Sequence, residues 1–108
     1  MLSRAPVFLG MLGLALARAG RADEARGLLG ELEDRASRGE YVLPSARLTI
    51  SVGLGDLERI RQALEECIAE DTPYPQVRFN LGPFLDPYRI DPDIARLHDR
   101  LRDGGPER

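Results

Sequence analysis

ARAGRADEARGLLGEL, residues 17–32, returns in altered form as VGLGDLERIRQALEEC, residues 52–67. Gly20 is matched by Gly55, Arg26 by Arg61, Leu29 by Leu64 and Glu31 by Glu66, always at an offset of 35. In the first copy, Ala22, Ala25, Leu28, Leu29, Leu32 and Ala36 fall on one face of a helix. Asp23 and Glu24 lie in its first turn, where carboxylates meet the positive end of the helix dipole. The second copy repeats the design with Leu57, Ile60, Ala63, Leu64, Cys67 and Ile68. There Asp56 is a natural N-cap, and Gly55 before it permits a tight entry.

Each copy follows another apolar segment, Pro6–Arg18 and Pro44–Val52. Ser3 is expected to cap the first of these, with Pro6 in its opening turn. Pro44 suits the first helical position of the second. The links around Gly20 and Gly53–Gly55 are short, and short links between helices make antiparallel hairpins. The duplicated phrase is therefore the second helix of a duplicated helical hairpin, and the expected class is all-α.

A hairpin recurring at about 34 residues is the signature of tetratricopeptide repeats, and the chain resembles that family residue by residue. Leu9, Leu12, Gly13 and Leu16 match the large, large, small, large positions of the family's first helix. Gly20 matches the turn glycine, Ala25 the small residue of the second helix and Leu29 the large one after it. In the second unit Gly55, Leu64 and Cys67 match, while Leu48, Ser51 and Ile60 depart from the pattern. Helices that approach closely need a small residue against a large one, which sets Gly13 against Leu29 or its neighbours. Gly10, Gly27 and Gly30 each cost up to about 1 kcal/mol against Ala in a helix, and the sequence offers nothing in return.

Beyond residue 70 the segment EDTPYPQVRFNLGPFLDPYRIDPDIARLHDRLRD carries five prolines. Its Pro83-Phe84-Leu85-Asp86-Pro87 and Asp91-Pro92-Asp93-Ile94 steps resemble the proline-rich cap that closes the C-terminal hairpins of bacterial multidomain tetratricopeptide proteins. Asp91 is the expected N-cap and Pro92 the first residue of a last helix. Ile94, Leu97 and Leu101 form that helix's apolar stripe, and Phe79, Phe84 and Tyr88 are expected to fill the space beneath the irregular segment. The resemblance implies antiparallel helical hairpins stacked as a short right-handed α-solenoid with a C-terminal capping helix. It divides a single domain, 1–108, into repeat 1 (6–39), repeat 2 (41–72) and cap (73–103).

The totals narrow the function classes. Apolar residues make up 43% of the chain and charged residues 31%, enough to form a core and too apolar for disorder. The formal net charge of −3 gives no bulk attraction to nucleic acid or anionic lipid. All 15 basic residues are Arg. The N-terminal MLSRAPVFLGMLGLALARAG has the outline of a secretory signal: Arg4, an apolar run from Val7 to Ala17, and small Ala15, Ala17 and Ala19. That run is too short to span a membrane as a helix. The same residues supply the first helix of the repeat, so a cytoplasmic chain is expected, the alternative being an exported protein that loses residues 1–19.

No acid–base constellation emerges, and no enzyme is expected. His98 is placed on the solvent side or edge of the last helix. Cys67 falls on an apolar stripe and reads as a small core residue. Asp86, Asp91, Asp93 and Asp99 lack the glycine and terminal Glu of a calcium loop, so no metal is expected. Gly53-Leu54-Gly55 lacks the remainder of a phosphate loop, and no cofactor is expected. Arg59, Arg61 and Arg78 are interleaved with Glu58, Glu65 and Glu66, a solvated charged face.

The function implied by the resemblance is a non-catalytic protein–protein interaction module, a scaffold or the C-terminal part of a larger bacterial regulatory protein. First helices of stacked hairpins line a concave surface, here Val7, Gly10, Met11, Leu14 and Arg18 with Ser45, Ala46, Thr49 and Val52. The partners expected there are a protein or peptide segment, or neighbouring hairpins. The alternative is a self-associating scaffold, a homodimer through Leu9, Leu12 and Leu16 on the uncapped flank of the first hairpin.

Overall fold

The structure is a computed structural model that describes residues 5–103, without the side chains at 76, 79 and 80. Six α-helices follow one another: α1 (Pro6–Arg18), α2 (Ala22–Ser37), α3 (Pro44–Leu54), α4 (Leu57–Ala69), α5 (Tyr74–Leu81) and α6 (Pro92–Arg102). A 3₁₀ segment, Gly82–Ile90, joins the last two. The described residues contain no strand.

The local signals act where the chemistry places them. Pro6 and Pro44 open α1 and α3, where a missing N–H costs nothing. Ser3 lies outside the described residues; at the start of α1, Ala5 provides no side-chain cap. Gly20 and Gly55 take positive φ, 84° and 71°, a conformation that glycine enters without steric penalty. There Arg21 N–H reaches back to Leu16 O at 2.8 Å and Asp56 N–H to Ser51 O at 3.3 Å, satisfying carbonyls that the helix ends leave open. Asp56 accepts from Arg59 N–H at 3.2 Å. Asp91 accepts from Asp93 and Ile94 N–H at 2.9 and 3.1 Å.

Two apolar clusters form the core, and α3 contributes to both. Ala46 and Ile50 join Leu9, Ala25, Leu29, Leu32 and Val42. Leu48 and Val52 join Leu14, Ile60, Leu64, Cys67, Val77, Leu81, Leu85, Ile94, Leu97 and Leu101. α3 is consequently buried on nearly every side, with α1, α2, α4 and α5 packed around it. Two of its hydroxyls bond within the helix: Thr49 Oγ1 donates to Ser45 O at 2.7 Å, and Ser51 Oγ to Arg47 O at 2.8 Å. Such back-bonding lets a hydroxyl be buried without an orphaned donor.

α1 and α3 make the most extensive helix–helix contact among the described residues. A Cβ added at Gly10 would lie 2.9 Å from Ala46 O, and one at Gly53 would lie 3.0 Å from Leu14 Cα. The Gly10 entropy cost therefore permits a backbone-to-backbone approach. Gly13 faces Ile50, 2.7 Å from such a Cβ, rather than Leu29, because the first helix presses its small residues against α3 and not against its hairpin partner. Gly27 and Gly30 have open space beside them, and the structure gives no reason for either.

Two expectations about the cap are corrected. Phe84 is 37% exposed, and Leu85 is the buried residue instead; a 3₁₀ turn of three residues does not follow α-helical spacing. Phe79 falls among the side chains outside the description. His98 is buried rather than at a solvent edge, since positions 94, 97, 98 and 101 share the face of α6 that packs against the rest of the fold. Tyr88 is half-buried, with its hydroxyl 3.1 Å from the site of a Gly55 Cβ.

Candidate interaction surface

α1 reads PVFLGMLGLALAR and carries one charge, Arg18. An amphipathic helix turns a polar face to water; one apolar all round is normally covered all round. Leu9, Gly10, Gly13 and Leu14 are buried in the fold. The opposite face carries Phe8, Met11, Leu12, Ala15 and Ala19, all exposed. Their spacing of three, one, three and four makes a single stripe. Phe8 is 39%, Met11 45% and Leu12 37% exposed, so three large apolar side chains face water on adjacent turns.

The residues expected on a concave lining divide between surface and interior. Met11 and Arg18 are exposed, Val7 is half-buried and Leu14 is buried. Gly10, Ser45, Ala46, Thr49 and Val52 are buried too and form no open lining. Ala46 lies beneath α1, while Val52 shares a cluster with Val77, Leu81 and Leu85 from the α5 side. Parts of the cap, α5 and the 3₁₀ segment, thus pack against α3. Arg18 holds its guanidinium 4.7 Å from the centre of the Phe84 ring, a cation–π contact.

The self-association set is corrected in the same way. Leu9 is buried among Ala25, Leu29 and Leu32, and Leu16 is half-buried against that cluster. Only Leu12 of the three points outward. Phe8 and Ala15 escaped notice because a helix with no polar face does not reveal its rotation. The signal was the 8, 11, 12, 15, 19 spacing itself.

The remaining candidates are committed to structure. Tyr74 O–H donates to His98 Nε2 at 3.0 Å, and His98 Nδ1–H donates to Asp99 Oδ1 at 3.3 Å. The two aromatic rings meet edge to face, 5.4 Å apart. The His98 hydrogen bond, aided by Arg102 and Arg89, holds Asp99 below the usual carboxylate range. Burial pushes the Cys67 thiol up to about 12, so it is neither a thiolate nor a nucleophile at neutral pH.

Asp86, Asp91, Asp93 and Asp99 pair with Arg89, Arg61, Arg96 and Arg102. Among the described residues no three His, Cys, Asp or Glu side chains gather as a metal site. Arg59 pairs with Glu33 across α4 and α2, and Arg61 with Glu58. A furrow of about 420 Å³ beside α2 and α4 is lined by Arg26, Leu29, Gly30, Glu33, Leu54, Asp56 and Arg59. Its charges are matched internally, Arg26 to Asp23 and Arg59 to both Glu33 and Asp56. No helix among the described residues is long and apolar enough to cross a membrane. No protein-family model, curated protein or solved structure matches this chain.

Proposed function

We propose that this chain is a non-catalytic protein-interaction module of the tetratricopeptide type, and that the outer face of α1 is its contact surface. The observation that carries the reading is that face: Phe8, Met11 and Leu12 exposed in one stripe with Ala15 and Ala19. Covering apolar surface is the main favourable term in protein association, and large aromatic and sulfur-bearing side chains are enriched at interfaces. Two hairpins at an offset of 35, closed by a capped α6, support a short right-handed α-solenoid. The module acts as a scaffold, alone or within a larger bacterial regulatory protein. A cytoplasmic chain fits better than an exported one, since cleavage after residue 17 or 19 would strip α1 from Ala46, Ile50 and Gly53.

A photo-crosslinking amino acid at position 11, compared with one at the exposed Arg96 of α6, tests this in cells making the protein. A polypeptide adduct from position 11 and none from position 96 is expected. No adduct from position 11, or equal adducts from both, overturns the reading.

A further inference from the structure

The repeat itself limits what can cover α1. At the offset of 35, Met11, Ala15 and Arg18 correspond to Ala46, Ile50 and Gly53 of α3. Those three α3 residues receive α1, and the approach is close because two of them are small. On α1 the same two positions hold Met11 and Arg18, a thioether chain and a guanidinium lying over Phe84. A further helix therefore cannot seat on α1 as α1 seats on α3, because backbone contact there is blocked. The outer face calls for an occupant of different geometry.

Its gradient of size indicates which. Phe8, Met11 and Leu12 are large and lie toward the N-terminal end of α1, while Ala15 and Ala19 are small and lie toward the C-terminal end. Two such helices run antiparallel set the large end of each against the small end of the other. Phe8 then meets Ala19 of the second copy, Leu12 meets Ala15, and the same pairs recur across the two-fold axis. This is the large-against-small rule of helix packing satisfied by one sequence acting on itself. We infer that the outer face of α1 binds the same face of a second copy of this chain, antiparallel, in an isologous homodimer.

The inference rests on the reading of α1 as the contact surface and names its partner. α1 is only about 20 Å long, at 1.5 Å per residue. Such a helix pair buries less than the roughly 800 Å² per partner of a standard interface. Association in the micromolar to sub-millimolar range follows, rather than a permanent dimer.

Sedimentation equilibrium on the full chain over about 5–500 µM tests it, with circular dichroism to verify folding. The mass should rise with concentration from 12.0 kDa toward twice that value. Leu12→Asp should weaken association by about 100-fold, since each substitution enters the dimer twice. Met11→Glu reads the same loss should Leu12→Asp lower the helical signal. Ala19→Phe should weaken it by about 10-fold through a Phe–Phe clash, and Phe8→Ala added to Ala19→Phe should restore it to within about threefold. A constant monomer mass, an unaffected folded Leu12→Asp variant, or a double variant no tighter than Ala19→Phe overturns the inference. In that event, an adduct from position 11 to a different polypeptide leaves the interaction module standing; no adduct at all removes both.

Discussion

Replacing Gly10 by Ala sets two known terms against each other. Ala is the better helix former, by about 1 kcal/mol. The new methyl, however, would stand 2.9 Å from Ala46 O, 3.0 Å from Ala46 Cα and 3.3 Å from Ala46 C. All three are backbone atoms and cannot rotate away, so α1 and α3 must separate along a contact that spans Gly10, Gly13 and Gly53. Overpacking of this kind costs about 1–3 kcal/mol, and loss of a shared contact places it in the upper half. The net expectation is a destabilisation of about 1–2 kcal/mol, or roughly 5–10 °C in Tm for a chain of this size. Gly27→Ala is the control: it gains the same propensity and meets nothing within 4 Å, so it should stabilise by about 0.5–1 kcal/mol. Urea unfolding followed by circular dichroism at low micromolar protein separates the two variants by about 1.5–3 kcal/mol. If Gly10→Ala proved as stable as Gly27→Ala, α1 would not touch the α3 backbone. The rotation that exposes Phe8, Met11 and Leu12 would fall with it.

Leu64 is fully buried, and Leu64→Ala should cost about 2–5 kcal/mol in the same assay. Asp91→Ala removes a cap that serves two backbone N–H groups and should cost about 0.5–2 kcal/mol, more than Asp56→Ala, whose cap serves one. Tyr74→Phe leaves the buried Nε2 of His98 without its donor, for a loss of about 1–3 kcal/mol at neutral pH. Cys67 predicts an alkaline limb: its folded pKa of about 12 lies above the unfolded value near 8.5, so the folded state holds a proton that the unfolded state has lost. Stability is complete below that lower value and falls by about 1.4 kcal/mol per pH unit above it. Cys67→Ala should flatten this slope in unfolding measured between pH 9 and about 11; an unchanged slope would mean that Cys67 is solvated.

Elements with two unlike faces were legible in the sequence. α2, α4 and α6 alternate charge and apolar side chains at helical spacing, so most of their core residues, and the caps Asp56 and Asp91, could be read directly. Leu57, expected on the apolar face of α4, is instead exposed at that helix's first residue. α1 and α3 could be located, from their prolines and following glycines, but not rotated. α3 is surrounded, so Ser45 and Thr49 read as surface although both are buried, the Thr49 hydroxyl bonding back to Ser45 O within the helix. α1 is apolar throughout, and its stripe could be drawn through Leu9, Leu12 and Leu16 as easily as through Phe8, Met11 and Ala15. Only the position of α3 decides between them, and that depends on Gly10 meeting Ala46, a pairing that no local pattern announces. His98 was misplaced by its polarity, although its spacing from Ile94 and Leu101 already put it on the packed face.

The outward faces of α1 and α6 differ in character. α6 turns Asp93, Arg96, Arg100 and Asp103 outward, with Arg96 and Asp93 paired at 3.2 Å. Burying that face would strip water from charges already solvated, at a cost no apolar partner repays. α1 turns outward a face that gains by being covered. Were the α1 face to dock on the α6 face of the next molecule, the contact would be heterologous and would propagate into a filament. An apolar stripe has nothing to offer a charged one, so that mode is disfavoured by the same desolvation cost. The remaining way to cover α1 with copies of the same chain is face to face, which consumes both stripes at once. In the proposed homodimer, the contrast between the outward faces of α1 and α6 favours closure at two molecules over a filament.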